Sequence, residues 1–170
     1  MKKASIAAIV IAGATTAPAA TYAAEKKELH GWGPLKFGMT REEASNALNG
    51  RIEAISGDFT VFTAKILEKP CVVYLHFGGP NETLNEIDLT HNTNSNDEDE
   101  CPRTYKYFEP DIKNKYGFSN FSFSTEDQRL KTHTYIFANG TITYGASMLS
   151  GVCIFSIYYK SAQTPKKATF

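Results

Sequence analysis

Hydrophobic and polar positions change period along the chain, and each change marks an element. Val73, Leu75 and Phe77 alternate with Tyr74 and His76, the period of two that puts one face of a strand in a core. Stretches 59–67, 71–77 and 84–91 read as three strands, with Lys69-Pro70 as the first turn and Gly78-Gly79-Pro80-Asn81 as the second loop. The period then lengthens. Tyr105, Phe108, Ile112 and Tyr116 recur at helical spacing between Pro102, at the first helical position, and Gly117. Pro110 interrupts that stripe and removes a bond to the Lys106 carbonyl, so a kink or two abutting short helices are expected. Strands return at 118–123, 132–138, 141–146 and 152–160. Asn139-Gly140 is a two-residue hairpin signal that would set Phe137 opposite Ile142 and Tyr135 opposite Tyr144.

A shorter helix precedes the first strand. Thr40 is its N-cap, Glu43 completes a capping box, Asn49-Gly50 supplies the stop, and Ala44, Ala47 and Leu48 share its apolar side. These elements predict an α+β domain over 24–160: an antiparallel sheet of six to seven strands with two helices on one face. Its pattern is a pseudo-repeat of helix plus three strands, in units of about 35–91 and 101–160. The other sheet face is then left to solvent or to a partner.

Lys2 and Lys3, the apolar run 4–14 and the small residues up to Ala23 and Ala24 form a Sec-type leader, expected over 1–23. The protein is therefore expected in the periplasm, or secreted from a cell with no outer membrane, without a membrane anchor after cleavage. Residues 161–170 read as a polar, flexible tail. Basic and acidic side chains number 18 each, and loss of the two leader lysines leaves a slightly acidic chain. Its remaining lysines and arginines are scattered, which argues against nucleic acid as a partner.

The run Phe37-Gly38-Met39-Thr40, followed by Glu43, Ala44 and Leu48, resembles the helix start of small envelope modules of the SmpA/OmlA outer-membrane-assembly lipoprotein type. It is also similar to units of the β-lactamase-inhibitory-protein fold. The resemblance implies a binding module rather than an enzyme. No cysteine precedes Cys71, so the lipid attachment of the first family has no counterpart after the leader.

Three cysteines in an exported chain imply one disulfide and one thiol. Cys71 and Cys101 would fall at the same end of the 71–91 hairpin, which favours their pairing, with Cys153 as a buried free thiol. Such a bond closes a loop of about 30 residues, worth about 3 kcal/mol in the chain-entropy model. The rival pairing is Cys71 with Cys153. An apolar surrounding would raise the Cys153 pKa and make it a poor nucleophile. His30, His76, His91 and His133 lack a partner at metal-binding spacing. The acidic run 97–100, preceded by Asn94 and Asn96, lacks the glycine and the final glutamate of a helix-loop-helix calcium site.

No metal, cofactor or catalytic residue is therefore expected. The candidate interface comprises Trp32, Tyr74, His76, Tyr144 and Tyr158, amphipathic side chains suited to protein contact. For Trp32 the interface reading competes with a favoured one, a lid folded back on the core. The expected function is a non-enzymatic exported module that binds another envelope or exported protein, as an assembly accessory or an inhibitor or immunity-type partner, and is itself monomeric. Two alternatives belong to other classes. One is a small exported hydrolase or metal-dependent enzyme using His76 or His133 with Asp88 or Glu86. The other is a carrier of a small ligand or lipid.

Overall fold

The computed structural model describes residues 28–56, 59–94, 97, 99–126 and 130–162. The expected leader, and residues 163–170 of the expected tail, lie outside them. A two-stranded hairpin, β1 (Gly31–Trp32) and β2 (Leu35–Lys36), leads into helix α1 (Arg41–Ala47). The capping box is formed as expected: the Glu43 amide donates to Thr40 Oγ1 at 3.3 Å and the Thr40 amide donates to Glu43 Oε2 at 2.8 Å. Ala44 is fully buried, and the helix stops where Asn49 and Gly50 take φ of 54° and 72°.

Strands β3 (Ala54–Ser56), β4 (Phe59–Ile66), β5 (Lys69–Gly78) and β6 (Thr83–Asn94) follow. Helix α2 (Glu100–Tyr116) comes next, then β7 (Phe121–Ser124), β8 (Leu130–Phe137), β9 (Gly140–Leu149) and β10 (Val152–Ser161). The eight strands from β3 to β10 form one antiparallel sheet in the order β3-β4-β5-β6-β10-β9-β8-β7.

This overturns the expected balance of helix and strand. The described residues are mostly strand, with eight strands in one sheet and two in another, and α1 has only seven residues. The chain is not the α+β pseudo-repeat of helix plus three strands. Short elements account for part of the miss, because the edge strand β3 and the separate β1–β2 hairpin are too brief to show a period of two.

Three local expectations also change. Lys69 and Pro70 are not the β4–β5 turn; they pair with Ile66 and Lys65, and the turn is Leu67-Glu68 at φ of 48° and 64°. Those left-handed values suit a tight hairpin even without glycine. In the β8–β9 hairpin Phe137 pairs with Gly140, Tyr135 with Ile142 and His133 with Tyr144. The register therefore differs from the expected one by two residues, and the turn is Ala138-Asn139. Gly140 serves a close approach instead, since a Cβ there would lie 2.4 Å from the Lys160 carbonyl oxygen. Finally, α2 runs through Pro110 as one helix. Pro110 and Lys106 are both exposed, so the carbonyl that proline leaves unbonded is on the solvent side of the helix, where its loss is tolerated.

One core cluster joins the inward side chains of the sheet to both helices. Val73, Leu75, Ile87, Leu89, Ile142 and Phe155 supply its floor. Helix α2 lies over β9 and β10, where Phe108 stacks on Phe155 at 4.3 Å. Among the described residues no helix is long and apolar enough to cross a membrane.

The disulfide is Cys101–Cys153, and Cys71 is the buried thiol. Both expected pairings, Cys71–Cys101 and Cys71–Cys153, are thus corrected. The reason is strand order. β10 rather than β5 lies under the start of α2, with Cys153 in register with Thr93 near the end of β6. Cys71 is two strands away from β10, on β5. Burial pushes its thiol up to about 11, which makes it a poor nucleophile at neutral pH.

Candidate functional site on the helix-free sheet face

Directly paired residues of an antiparallel ladder point to one side, so register sorts the sheet into two faces. The side opposite the core carries Phe59 on β4, Tyr74 and His76 on β5, and Glu86 and Asp88 on β6. Across the centre of the sheet it continues with Ser156, Tyr158 and Lys160 on β10, Thr143 and Gly145 on β9, and Thr132 and Thr134 on β8. Phe121 and Phe123, in register with Thr134 and Thr132, end it at the β7 edge. Among the described residues no helix lies on this face, since the buried side chains of both helices belong to the core on the other side.

Of the candidate interface residues, Tyr74, His76 and Tyr158 share this face. Tyr144 does not: it is fully buried on the helix side, stacked on Tyr105 at 5.7 Å. Trp32 is half-buried against the core cluster, which is the lid arrangement. Hydropathy alone does not separate Tyr144 from Tyr158, because both occupy alternating strands whose two faces each carry tyrosines and threonines.

The acidic centre of the face is internally wired. Glu86 accepts from Lys160 Nζ at 2.7 Å and from the Tyr158 hydroxyl. Burial works to raise the Glu86 pKa, but the bonds from Lys160 and Tyr158 outweigh it and hold the carboxyl below its usual value. Burial, aided by Glu86, pushes the Tyr158 hydroxyl up. Asp88 is set between Tyr74 and Tyr158 in register. It accepts from Thr90 Oγ1 at 3.2 Å, and burial raises its pKa above the ordinary aspartate value.

Beside Tyr158 the face is indented around Gly145. The hollow has a volume of about 200 Å³ and is walled by Leu130, Thr132, Thr143, Ile154, Ser156 and Tyr158. A Cβ on Gly145 would fall 2.3 Å from the Lys131 carbonyl oxygen. The absent side chain therefore lets β8 approach β9 and leaves the hollow open. Sequence reasoning missed Gly145, and a glycine inside a period-two strand was the signal available for it.

His133 lies on the opposite side from Asp88 and Glu86, in register with Tyr144, so the pairing proposed for an enzyme cannot form with it. Its Nδ1 bonds Ser119 Oγ at 2.8 Å, while its Nε2 is buried and has no bonding partner among the described residues. The ring stacks on Tyr144 at 5.2 Å and lies 5.8 Å from Tyr105, above which the Lys131 ammonium sits at 4.2 Å. The Tyr105 hydroxyl also donates to Glu109 at 3.1 Å and lies within hydrogen-bond distance of the Tyr144 hydroxyl at 3.2 Å. Burial first, and Lys131 second, depress the His133 pKa.

The unfolded chain thus takes up a proton on this histidine, near pH ~6.5, before the folded protein does. Stability present above that pH is lost as pH falls through the depressed folded value. Urea midpoints between pH 8 and 5, on the order of the range in which histidine titrates, are expected to decline more steeply for the natural chain than for His133→Phe. Equal slopes would show that His133 is not protected in the fold.

The acidic run before α2 is engaged by Arg103, which bonds Asp97 at 2.6 Å and Glu100 at 2.9 Å. Among the described residues no three His, Cys, Asp or Glu side chains are grouped to hold a metal.

No protein-family model matches the chain, and no curated protein matches it. A solved structure with a similar course is that of a DUF4309-family protein (YjgB) from Bacillus subtilis subsp. subtilis str. 168. It is 11% identical, spans 81% of this chain and 88% of its own, and superposes with a TM-score of 0.46.

Proposed function

We propose that this protein is an exported, non-enzymatic module that binds another envelope or exported protein through the helix-free face of its sheet. The observation that carries the reading is continuity between an exposed aromatic edge and a hollow. Phe121 and Phe123 are 64% and 58% exposed, and Phe123 is in register with Thr132, which walls the hollow at Gly145. Exposed apolar edges that run into a hollow rimmed by hydroxyls and tyrosine fit an anchor side chain from a protein partner. The hollow's volume of about 200 Å³ is below the ~300–1,000 Å³ of ordinary small-molecule sites, which favours this reading over carriage of a ligand. Export is supported by the residue pattern of 1–23. The resemblance of the segment from Phe37 to Leu48 to SmpA/OmlA and β-lactamase-inhibitory-protein modules supports the binding class.

The test is capture from envelope extract by the immobilised protein, quantified for each captured species. Phe123→Ser and Tyr158→Ala are each expected to weaken capture of the specific partner by about 10- to 30-fold, the effect of truncating an aromatic anchor, with unchanged circular dichroism. Capture that ignores both substitutions, or turnover of a substrate that survives them, would overturn the reading.

A further inference from the structure

We infer that the partner of this face presents a guanidinium or ammonium side chain to Asp88, seated between Tyr74 and Tyr158. The inference rests on the proposed protein-binding role and adds the chemistry of the contact.

The argument is one of unmatched charge. Two carboxylates stand side by side on the outward face of β6. Glu86 is matched, by Lys160 at 2.7 Å and by the Tyr158 hydroxyl. Lys65 is turned to Glu68, 3.7 Å away near the β4–β5 turn. His76 faces Glu86 in register and stands diagonal to Asp88, and when protonated its charge acts on both. Asp88 makes no ion pair among the described residues and accepts from Thr90 alone in the bonds the structure shows. An ionised carboxylate has about four acceptor sites, so a multidentate donor still has room.

The setting of that carboxylate is specific to a cation of this kind. Tyr74 and Tyr158 are its register partners on the two neighbouring strands. Tyr74 is itself fixed by edge-to-face packing with Phe59, at 6.1 Å between ring centres. A guanidinium bonded to the carboxylate would have a tyrosine in register on either side, so charge-assisted hydrogen bonds can be joined by cation–π attraction. A divalent metal is a poorer fit, because it needs several oxygen or nitrogen ligands and the flanking groups are phenols.

The carboxylate is also kept against its own stability. Burial raises the Asp88 pKa, so the folded state holds its proton more tightly than the unfolded chain. Stability present below the unfolded pKa is then lost as pH rises through the folded one, and at neutral pH the charge is a net burden. Asp88→Asn keeps the shape and the acceptor for Thr90, and is expected to unfold at the same temperature as the natural protein or higher at pH 7. A residue that an isosteric amide would improve is what a binding role predicts.

The test is an amide-resolved NMR titration of the full chain with Nα-acetyl-arginine amide, against Nα-acetyl-citrulline amide as the neutral isostere. Saturable shifts are expected at Tyr74, Asp88 and Tyr158. They should be at least tenfold weaker in apparent affinity for citrulline, and equally weakened by Asp88→Asn. Equal responses to both probes, shifts centred instead on Asp97 and Glu100, or a response that survives Asp88→Asn would overturn the inference. Partner capture separates it from the broader reading. If Asp88→Asn captures the envelope partner normally while Phe123→Ser does not, the cation contact is wrong and the binding face stands.

Discussion

Reducing the Cys101–Cys153 bond is expected to lower the free energy of unfolding by about 4 kcal/mol, judged from urea midpoints with and without reductant. The two cysteines are 52 residues apart, and loop-closure entropy in the unfolded chain grows with the logarithm of that span. The bond also joins the first turn of α2 to the central strand β10, so it pins this 17-residue helix to the middle of the sheet. A domain of this size has a net stability of about 5–15 kcal/mol. The reduced protein is therefore expected to remain folded but close to its transition. Cys101→Ser combined with Cys153→Ser should reproduce the loss and abolish the response to reductant. Cys71→Ala should leave that response intact, because its thiol is unpaired. A reductant effect that vanishes with Cys71→Ala would show that the pairing is wrong.

That bond was illegible in the sequence for the same reason as the strand order. Local signals read well here: the Thr40 and Glu43 box, the Tyr105, Phe108 and Ile112 stripe, and the alternation through Val73, Leu75 and Phe77 are each decided within a few residues. None of them says which strand lies beside β6. The chain places β10 there, some 60 residues later in sequence, and with it Cys153 instead of Cys71. The β8–β9 register failed differently. Gly140 looked like half of a turn, yet its missing side chain serves the close approach of Lys160 and Leu29. Asn139 has a second task as well, bonding the amide and carbonyl of Leu29 through its side chain at 2.6 and 3.0 Å.

The site was half legible. Alternation sets Tyr74 and His76 opposite Val73, Leu75 and Phe77, but it cannot say which faces of β9 and β10 meet α2, so Tyr144 and Tyr158 read alike although only Tyr158 lies on the helix-free face. Nor did any short-range pattern reveal that Lys160 would be spent on Glu86 and leave Asp88 unmatched. That difference arises only when β6 and β10 are neighbours. The functional reading thus depends on the same long-range pairing as the disulfide.

Phe108→Ala is expected to cost about 3–5 kcal/mol, the range for deleting a large buried aromatic side chain. Phe108 is 1% exposed, stacks on Phe155 at 4.3 Å and meets His91 edge-on at 5.9 Å. It stands at the middle of α2, where little can collapse to fill its volume. Lys106→Ala, on the exposed side of the same helix, should move stability by no more than about 0.5 kcal/mol. Paired with reduction, the substitution becomes a test of how α2 is held. Cys101 and Phe108 both fasten one helix to β10, so the two losses are not independent. Once α2 has loosened at one anchor, the second contact is already weakened. The combined loss in reduced Phe108→Ala is therefore expected to fall short of the sum of the separate losses, as read from urea midpoints of the four oxidised and reduced forms. Strict additivity would mean that the disulfide acts on the unfolded chain alone and that the packing of α2 survives its removal unchanged.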